Sequence, residues 1–126
     1  MVRNQIIISL GSNKDAEKNM KTACDALDTL LPALFWSDAV ETEAEGCSRK
    51  SMFLNRVGMG FTYMSIDELK MHFKLIDTFL GRTPEDKAQG IIPIDIDLLK
   101  WNEEVLKADD MQRYYVVEGM ERLRIY

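Results

Sequence analysis

The order in which the hydrophobic period changes along residues 5–99 restricts this chain more than any single motif. Gln5-Ile6-Ile7-Ile8-Ser9-Leu10 is a β-branched apolar run stopped by Gly11-Ser12-Asn13, the pattern of a buried strand entering a tight turn. The period then lengthens. From Asp15, a candidate N-cap, Met20, Ala23, Cys24, Leu27, Leu30 and Leu31 recur at spacings of three and four, one stripe on a helix ending before Pro32. Leu34 to Val40 reads as a second strand, and Glu41 to Ser51 as a polar loop without a period. Met52 to Tyr63 reads as a long strand interrupted at Gly58 and Gly60, where a bulge or a close backbone approach is expected.

Ser65-Ile66-Asp67-Glu68 is a capping-box signature. Leu69, His72, Phe73, Ile76, Phe79 and Leu80 form the expected buried stripe of the helix it opens, and Gly81 is its natural stop. Thr83 to Pro93 reads as a mobile loop, Ile94 to Leu99 as a strand, and Tyr114 to Val117 as material for one more strand. Strand, helix, two strands, helix, strand predicts an α+β class: a ferredoxin-like antiparallel sheet with two helices packed on one face. No linker, repeat or low-complexity tract divides the chain, so residues 1–126 are expected to form a single domain.

Charge narrows the function classes. Against 21 Asp+Glu stand 16 Lys+Arg, a net charge of −5 with no basic stripe, which argues against a nucleic-acid partner. No apolar run approaches the roughly 20 residues of a membrane span, and no secretion signal is visible, so the expectation is a cytoplasmic protein without a membrane partner. Cys24 and Cys47 fit neither a disulfide framework nor a zinc site and read as free thiols. Oligomeric state leaves no signal.

The sharpest chemical signal is Asp95 and Asp97. Residues two apart on a strand point to the same face, so these carboxylates stand side by side. Mg²⁺ suits such a pair, because it takes carboxylate and water oxygens and is often completed by substrate phosphates; a solvent-facing row on an edge strand is the other reading. Gly11-Ser12-Asn13 is a plain turn or an anion-facing one, and Arg82 is a phosphate partner or a complement to the helix dipole. His72, the only histidine, lies on an apolar stripe and reads as a core-edge residue.

In their order and spacing, these segments resemble the 6-hydroxymethyl-7,8-dihydropterin pyrophosphokinase family, of which the chain looks like a divergent and shortened member. The resemblance runs over about residues 5–117 and includes Gly11-Ser12-Asn13, Glu41-Thr42, Phe53-Leu54-Asn55, Glu68-Leu69, Ile76-Asp77, Leu80-Gly81-Arg82, Asp95-Ile96-Asp97-Leu98-Leu99 and Asn102-Glu103-Glu104-Val105. It implies metal-assisted transfer of pyrophosphate from ATP to a pterin alcohol in folate biosynthesis, with two Mg²⁺ ions at Asp95 and Asp97. Arg82 joins those two as the implied catalytic set. Asp77, Arg82 and Arg113 are implied at the nucleotide, and Thr42, Phe53, Asn55 and Tyr115 at the pterin. The chain departs from the family pattern at Gln89 and Ile92, where a tryptophan and an arginine are expected, and at Leu106-Lys107, where a Pro-His pair is expected. Glu43 and Glu45 replace proline or apolar residues. Two other readings stay open: a paralogue that binds nucleotide or pterin without turnover, and a ferredoxin-like interaction domain.

Overall fold

The structure is a computed structural model and describes residues 3–43 and 52–124; Glu45 and Cys47 lie outside that range. The chain runs β1 (Asn4–Ser12), α1 (Ala16–Leu30), β2 (Leu34–Trp36), β3 (Val40–Glu43), β4 (Met52–Thr62), α2 (Ile66–Phe79), α3 (Pro84–Ala88), β5 (Asp95–Trp101), β6 (Glu104–Val105), α4 (Ala108–Met111) and α5 (Tyr114–Arg124).

Strand β1 is apolar on both faces, which suits it to the middle of a sheet covered on both sides. It pairs antiparallel with β4 on one side and with β5 on the other. The sheet order is β2-β4-β1-β5-β6, with β3 also on β4. This is the α+β architecture that the order of periods predicts. Ile6, Ile8 and Leu10 face α1 and α2, where Met20, Ala23, Cys24, Leu27, Leu69 and Phe73 close the main core. Ile7 faces the other way and packs with Val57, Leu99, Val116 and Met120.

That second cluster exists because Tyr114–Val117 is not a strand. The segment is the first turn of α5, which lies on the sheet face opposite α1 and α2. Val116 and Met120, four apart, sink into the sheet, and Gly119 between them lies against Ser37 and Val57. Four apolar residues cannot distinguish a strand from a buried helical turn; the helical spacing appears only when Gly119 and Met120 are included.

The Leu34–Val40 segment forms two strands, β2 and β3, and Glu41–Glu43 of the expected loop is the body of β3. Trp36 pairs with Gly58 and Val40 with Asn55, so residues 37–39 stand opposite only Arg56 and Val57. The bulge is therefore on this strand, at buried Ser37, whose hydroxyl accepts a bond from the Val57 amide at 3.1 Å. Strand β4 itself runs unbroken against β1 from Leu54 to Thr62. Its glycines serve close approach: the Trp36 ring covers Gly58, and the Ala33 carbonyl and Leu34 cover Gly60.

Helix α2 begins on the expected capping box, with Glu68 N donating to Ser65 Oγ and Ser65 N to Glu68 Oε1. Its stripe differs at two positions, gaining Asp77 and losing Phe79. Leu69, Phe73 and Asp77 face inward at steps of four, whereas Phe79 is 81% exposed. Gly81 ends the helix with a φ of +95°, a left-handed value glycine adopts without strain. The Thr83–Pro93 segment is only partly loop. Thr83 Oγ1 accepts from the Asp86 amide at 3.1 Å and Pro84 opens α3, an N-cap and first-turn proline that the sequence displays. Asp15 does precede α1, but in a left-handed conformation and without a side-chain cap bond. No described helix is long and apolar enough to cross a membrane.

The covered glycines make one prediction about stability. A Cβ on Gly60 would run into the Ala33 backbone, so Gly60→Ala should lower the unfolding free energy by about 2 kcal/mol in urea titrations. An unchanged midpoint would mean that β2 yields without cost.

Candidate functional site

The site follows from the alternation along β5. Ile96 and Leu98 enter the main core, so Asp95 and Asp97 must point away from it. On the β1 side Asp95 is opposite Gly11 and Asp97 opposite Ser9. On the outer side β6 pairs only with Lys100 and Trp101, which leaves the strand edge at the two acids without a described partner strand.

Two cations reach that edge. Arg82, just past Gly81, places Nη1 2.7 Å from Asp95 Oδ1 and 3.1 Å from Asp77 Oδ2. Lys107 places Nζ 2.9 Å from Asp97 Oδ1. Asp77 arrives because the inward stripe of α2 ends on it, and its Oδ1 is buried with no hydrogen-bond partner. Burial pushes the Asp77 carboxyl up to about 7; the attraction of Arg82, which it shares with Asp95, offsets only part of that. Asp97 is also raised, first by burial and then by the charge of Asp95 beside it. The bond to Asp97 raises Lys107 in turn.

Cavities open on both sides of the acid pair. The first, about 550 Å³, lies where β1, β3 and β4 meet the start of α5; Thr42, Phe53, Asn55, Arg113 and Tyr115 line it together with Asp95 and Asp97. Its inner wall is set by pairing: Gly11 is opposite Asn55, and Thr42 opposite Phe53. Asn55 Nδ2 donates to Thr42 Oγ1 at 2.5 Å, which orients the amide. The second cavity, about 670 Å³, lies between α2, α3 and β5. Asp77, Arg82, Asp95 and Asp97 line it, with Lys70, Lys74, Lys87 and Lys107.

The residues singled out from sequence therefore separate into two groups that share the Asp95 and Asp97 wall. Thr42, Phe53, Asn55 and Tyr115 meet in the first cavity, and Asp77 and Arg82 in the second. Arg113, expected at the nucleotide, lines the first cavity, where its Nε donates to Asp110 Oδ1 at 3.1 Å. Lys70 and Lys74 were not legible as site residues. Their signal is a pair of cations one helical turn apart, flanking the Phe73 and Asp77 stripe, which in a sequence looks like any solvated helix face. His72 is half-buried and lines neither cavity.

Gly11 and Ser12, expected as a turn, are the last residues of β1 because both still pair with β4, and Asn13 after them works as a staple. Asn13 Nδ2 donates to the Gly90 carbonyl at 2.6 Å, Asn13 Oδ1 accepts from the Ile92 amide at 2.7 Å, and Asn13 N donates to the Ile92 carbonyl at 2.9 Å. These bonds hold the segment after α3 across the end of β1 and fix Ile92 in the first cavity.

Two carboxylates on one strand edge supply hard oxygen donors of the kind Mg²⁺ takes, and among the described residues no cluster of three or more His, Cys, Asp or Glu forms a complete protein cage. A metal held here needs oxygens from water or substrate, which suits an ion that binds with phosphates.

The buried Asp77 generates a prediction about pH. Its folded value near 7 lies above the ordinary 3.8, so between those values the native state binds more protons than the unfolded chain. Stability is then lost as pH rises through that interval. Urea unfolding at pH 5 and pH 8 should show wild type losing on the order of 2 kcal/mol more than Asp77→Asn does. Parallel pH profiles for the two proteins would exclude the assignment.

No curated protein sequence matches the chain. The family model for 7,8-dihydro-6-hydroxymethylpterin-pyrophosphokinase (HPPK) matches residues 7–124, which runs from within β1 to the end of α5 and takes in both cavities. With nearly its whole length matched, on the fold and site just described, the chain belongs to the 7,8-dihydro-6-hydroxymethylpterin-pyrophosphokinase family.

Proposed function

We propose that the protein transfers the pyrophosphoryl group of ATP to 6-hydroxymethyl-7,8-dihydropterin, with the pterin in the first cavity, the nucleotide in the second, and Mg²⁺ at Asp95 and Asp97. The observation that carries this reading is the contrast between two cavities sharing one pair of carboxylates. Phe53 and Tyr115 offer aromatic faces to a planar bicyclic ring, and Asn55, oriented by Thr42, offers an amide to its hydrogen-bonding edge. The second cavity gathers Lys70, Lys74, Arg82, Lys87 and Lys107 against three acids, a surplus of positive charge suited to a triphosphate.

In this arrangement the pterin hydroxymethyl oxygen meets the β-phosphorus across the Asp95 and Asp97 wall. A bond forms from that oxygen to the β-phosphorus, the hydroxyl proton passes to solvent, the bond from the β-phosphorus to the oxygen bridging it to the α-phosphorus breaks, and AMP leaves with that oxygen. Two Mg²⁺ ions, when bound, neutralise charge on the phosphate oxygens. Asp95 and Asp97 supply their protein ligands, and Arg82, anchored by Asp77, faces the phosphates. Little acid-base work falls to the protein, since such transfers depend mainly on positioning and electrostatics, and a site without histidine is consistent with that. Cytoplasmic localisation fits a soluble folate-pathway enzyme and is part of the same proposal.

The test is an assay with ATP, Mg²⁺ and the hydroxymethyl pterin. Wild type should release AMP, and Asp97→Asn should cut turnover about a hundredfold or more while retaining its melting temperature. Turnover unchanged by Asp97→Asn would refute the metal assignment. No AMP from wild type at high enzyme concentration, with nucleotide binding intact, would replace this reading with binding without turnover.

A further inference from the structure

The two cations at the acid pair are held in different ways. Arg82 has two carboxylates, Asp77 and Asp95, and its side chain is 20% exposed. A metal that takes the oxygens of Asp95 leaves Arg82 anchored on Asp77. Lys107 donates its side-chain hydrogen bond to Asp97, and its side chain is 45% exposed. Its backbone is fixed: Leu106 N and Lys107 N both donate to the Leu99 carbonyl, at 2.8 and 3.3 Å, so the residue cannot leave the side of β5. Its head group can move, because a four-carbon stem carries a rotatable ammonium with three donors. That stem lies on the wall of the basic cavity, with Arg82 and Lys87.

We propose that Lys107 is a phosphate-binding residue that couples the metal to the nucleotide: its ammonium serves Asp97 or the polyphosphate, and a divalent cation on Asp97 directs it to the polyphosphate. The inference rests on the nucleotide reading of the second cavity. When a cation takes the Asp97 oxygens, it repels the ammonium and removes the acceptor that held it. The anionic phosphates in the same cavity are then the acceptors within reach of its stem. Metal and Lys107 thus compete for Asp97 when no nucleotide is bound and cooperate when one is, so removing the ammonium has opposite effects on the two equilibria.

Lys107→Met keeps the stem and deletes the charge. Two titrations on the full chain read the result: Mn²⁺ alone by electron paramagnetic resonance, and Mg²⁺ with an ATP analogue carrying a methylene bridge between the α- and β-phosphorus atoms, by calorimetry. In Lys107→Met the Mn²⁺ affinity should rise severalfold, the Mg²⁺-analogue affinity should fall about tenfold, and Lys107→Arg should recover most of the analogue affinity. Analogue affinity that stays level, or rises in step with that for Mn²⁺, would show Lys107 to be only a counter-ion of Asp97 and would overturn the inference. Wild type that binds no Mg²⁺-analogue at all would instead overturn the functional reading beneath it.

Discussion

Alternation along β5 is the constraint on which the rest of the site depends. With Ile96 and Leu98 in the core, the strand cannot rotate or slip by one residue without burying two carboxylates among leucines and isoleucines. The hydrophobic term that holds β5 against β1 therefore also aims Asp95 and Asp97 at the cavities. Position across the sheet follows from the same pairing: β1 carries Gly11 between Asp95 and Asn55, so the acid and the amide stand on either side of one strand. Packing and chemistry share their determinants here, and a substitution at Leu98 would be felt at both.

Charge at the site is arranged in excess of what stability asks for. A buried carboxylate with an unpaired oxygen costs free energy, and an ion pair taken out of water recovers only part of that. Asp77 is such a group: it reaches Arg82 with one oxygen and leaves the other without a partner. A hydrophobic residue at this step of four would continue the stripe of Leu69 and Phe73 more favourably. What Asp77 provides is a second hold on Arg82, which keeps the guanidinium in place whatever happens at Asp95. The local cost has a functional counterpart, as is common where ionisable groups are buried near a cleft.

Most of the fold was legible because its strands and long helices follow a single period over enough residues. β1, α1, α2 and β5 emerge from spacing alone, and the capping box at Ser65 is found where the chain displays it. The failures have a common physical cause. Tyr114–Val117 was too short for its period to show, and Phe79 lies off the helix face that Leu69, Phe73 and Asp77 turn inward, while Leu80 next to it still packs on the core. Ser37 interrupts Leu34–Val40 for a reason no local pattern contains, since its hydroxyl is used by an amide of β4. Asp95 and Asp97 were legible because period two places them together. Lys70, Lys74 and the placement of Arg113 beside the first cavity required tertiary structure, as cations gathered from α2, α3 and the segment after β6 have no shared spacing.

The same logic gives meaning to the residues where the chain departs from its family's pattern. Ile92 lies in the first cavity, fixed there by the bond its carbonyl accepts from Asn13 N and the bond its amide donates to Asn13 Oδ1, so an apolar side chain occupies a wall that also carries Phe53 and Tyr115. A cation at that position would stand on the first-cavity side of Asp95 and Asp97. Its absence shifts the balance of positive charge to the opposite side, where Lys70, Lys74, Arg82, Lys87 and Lys107 converge. On the proposed function, phosphate recognition falls to these five cations, and Ile92 offers apolar contact to the ring. The proposed division of labour falls across a single strand edge: two aromatic rings and a directed amide line one side, five cations the other, and among the described residues Asp95 and Asp97 line both.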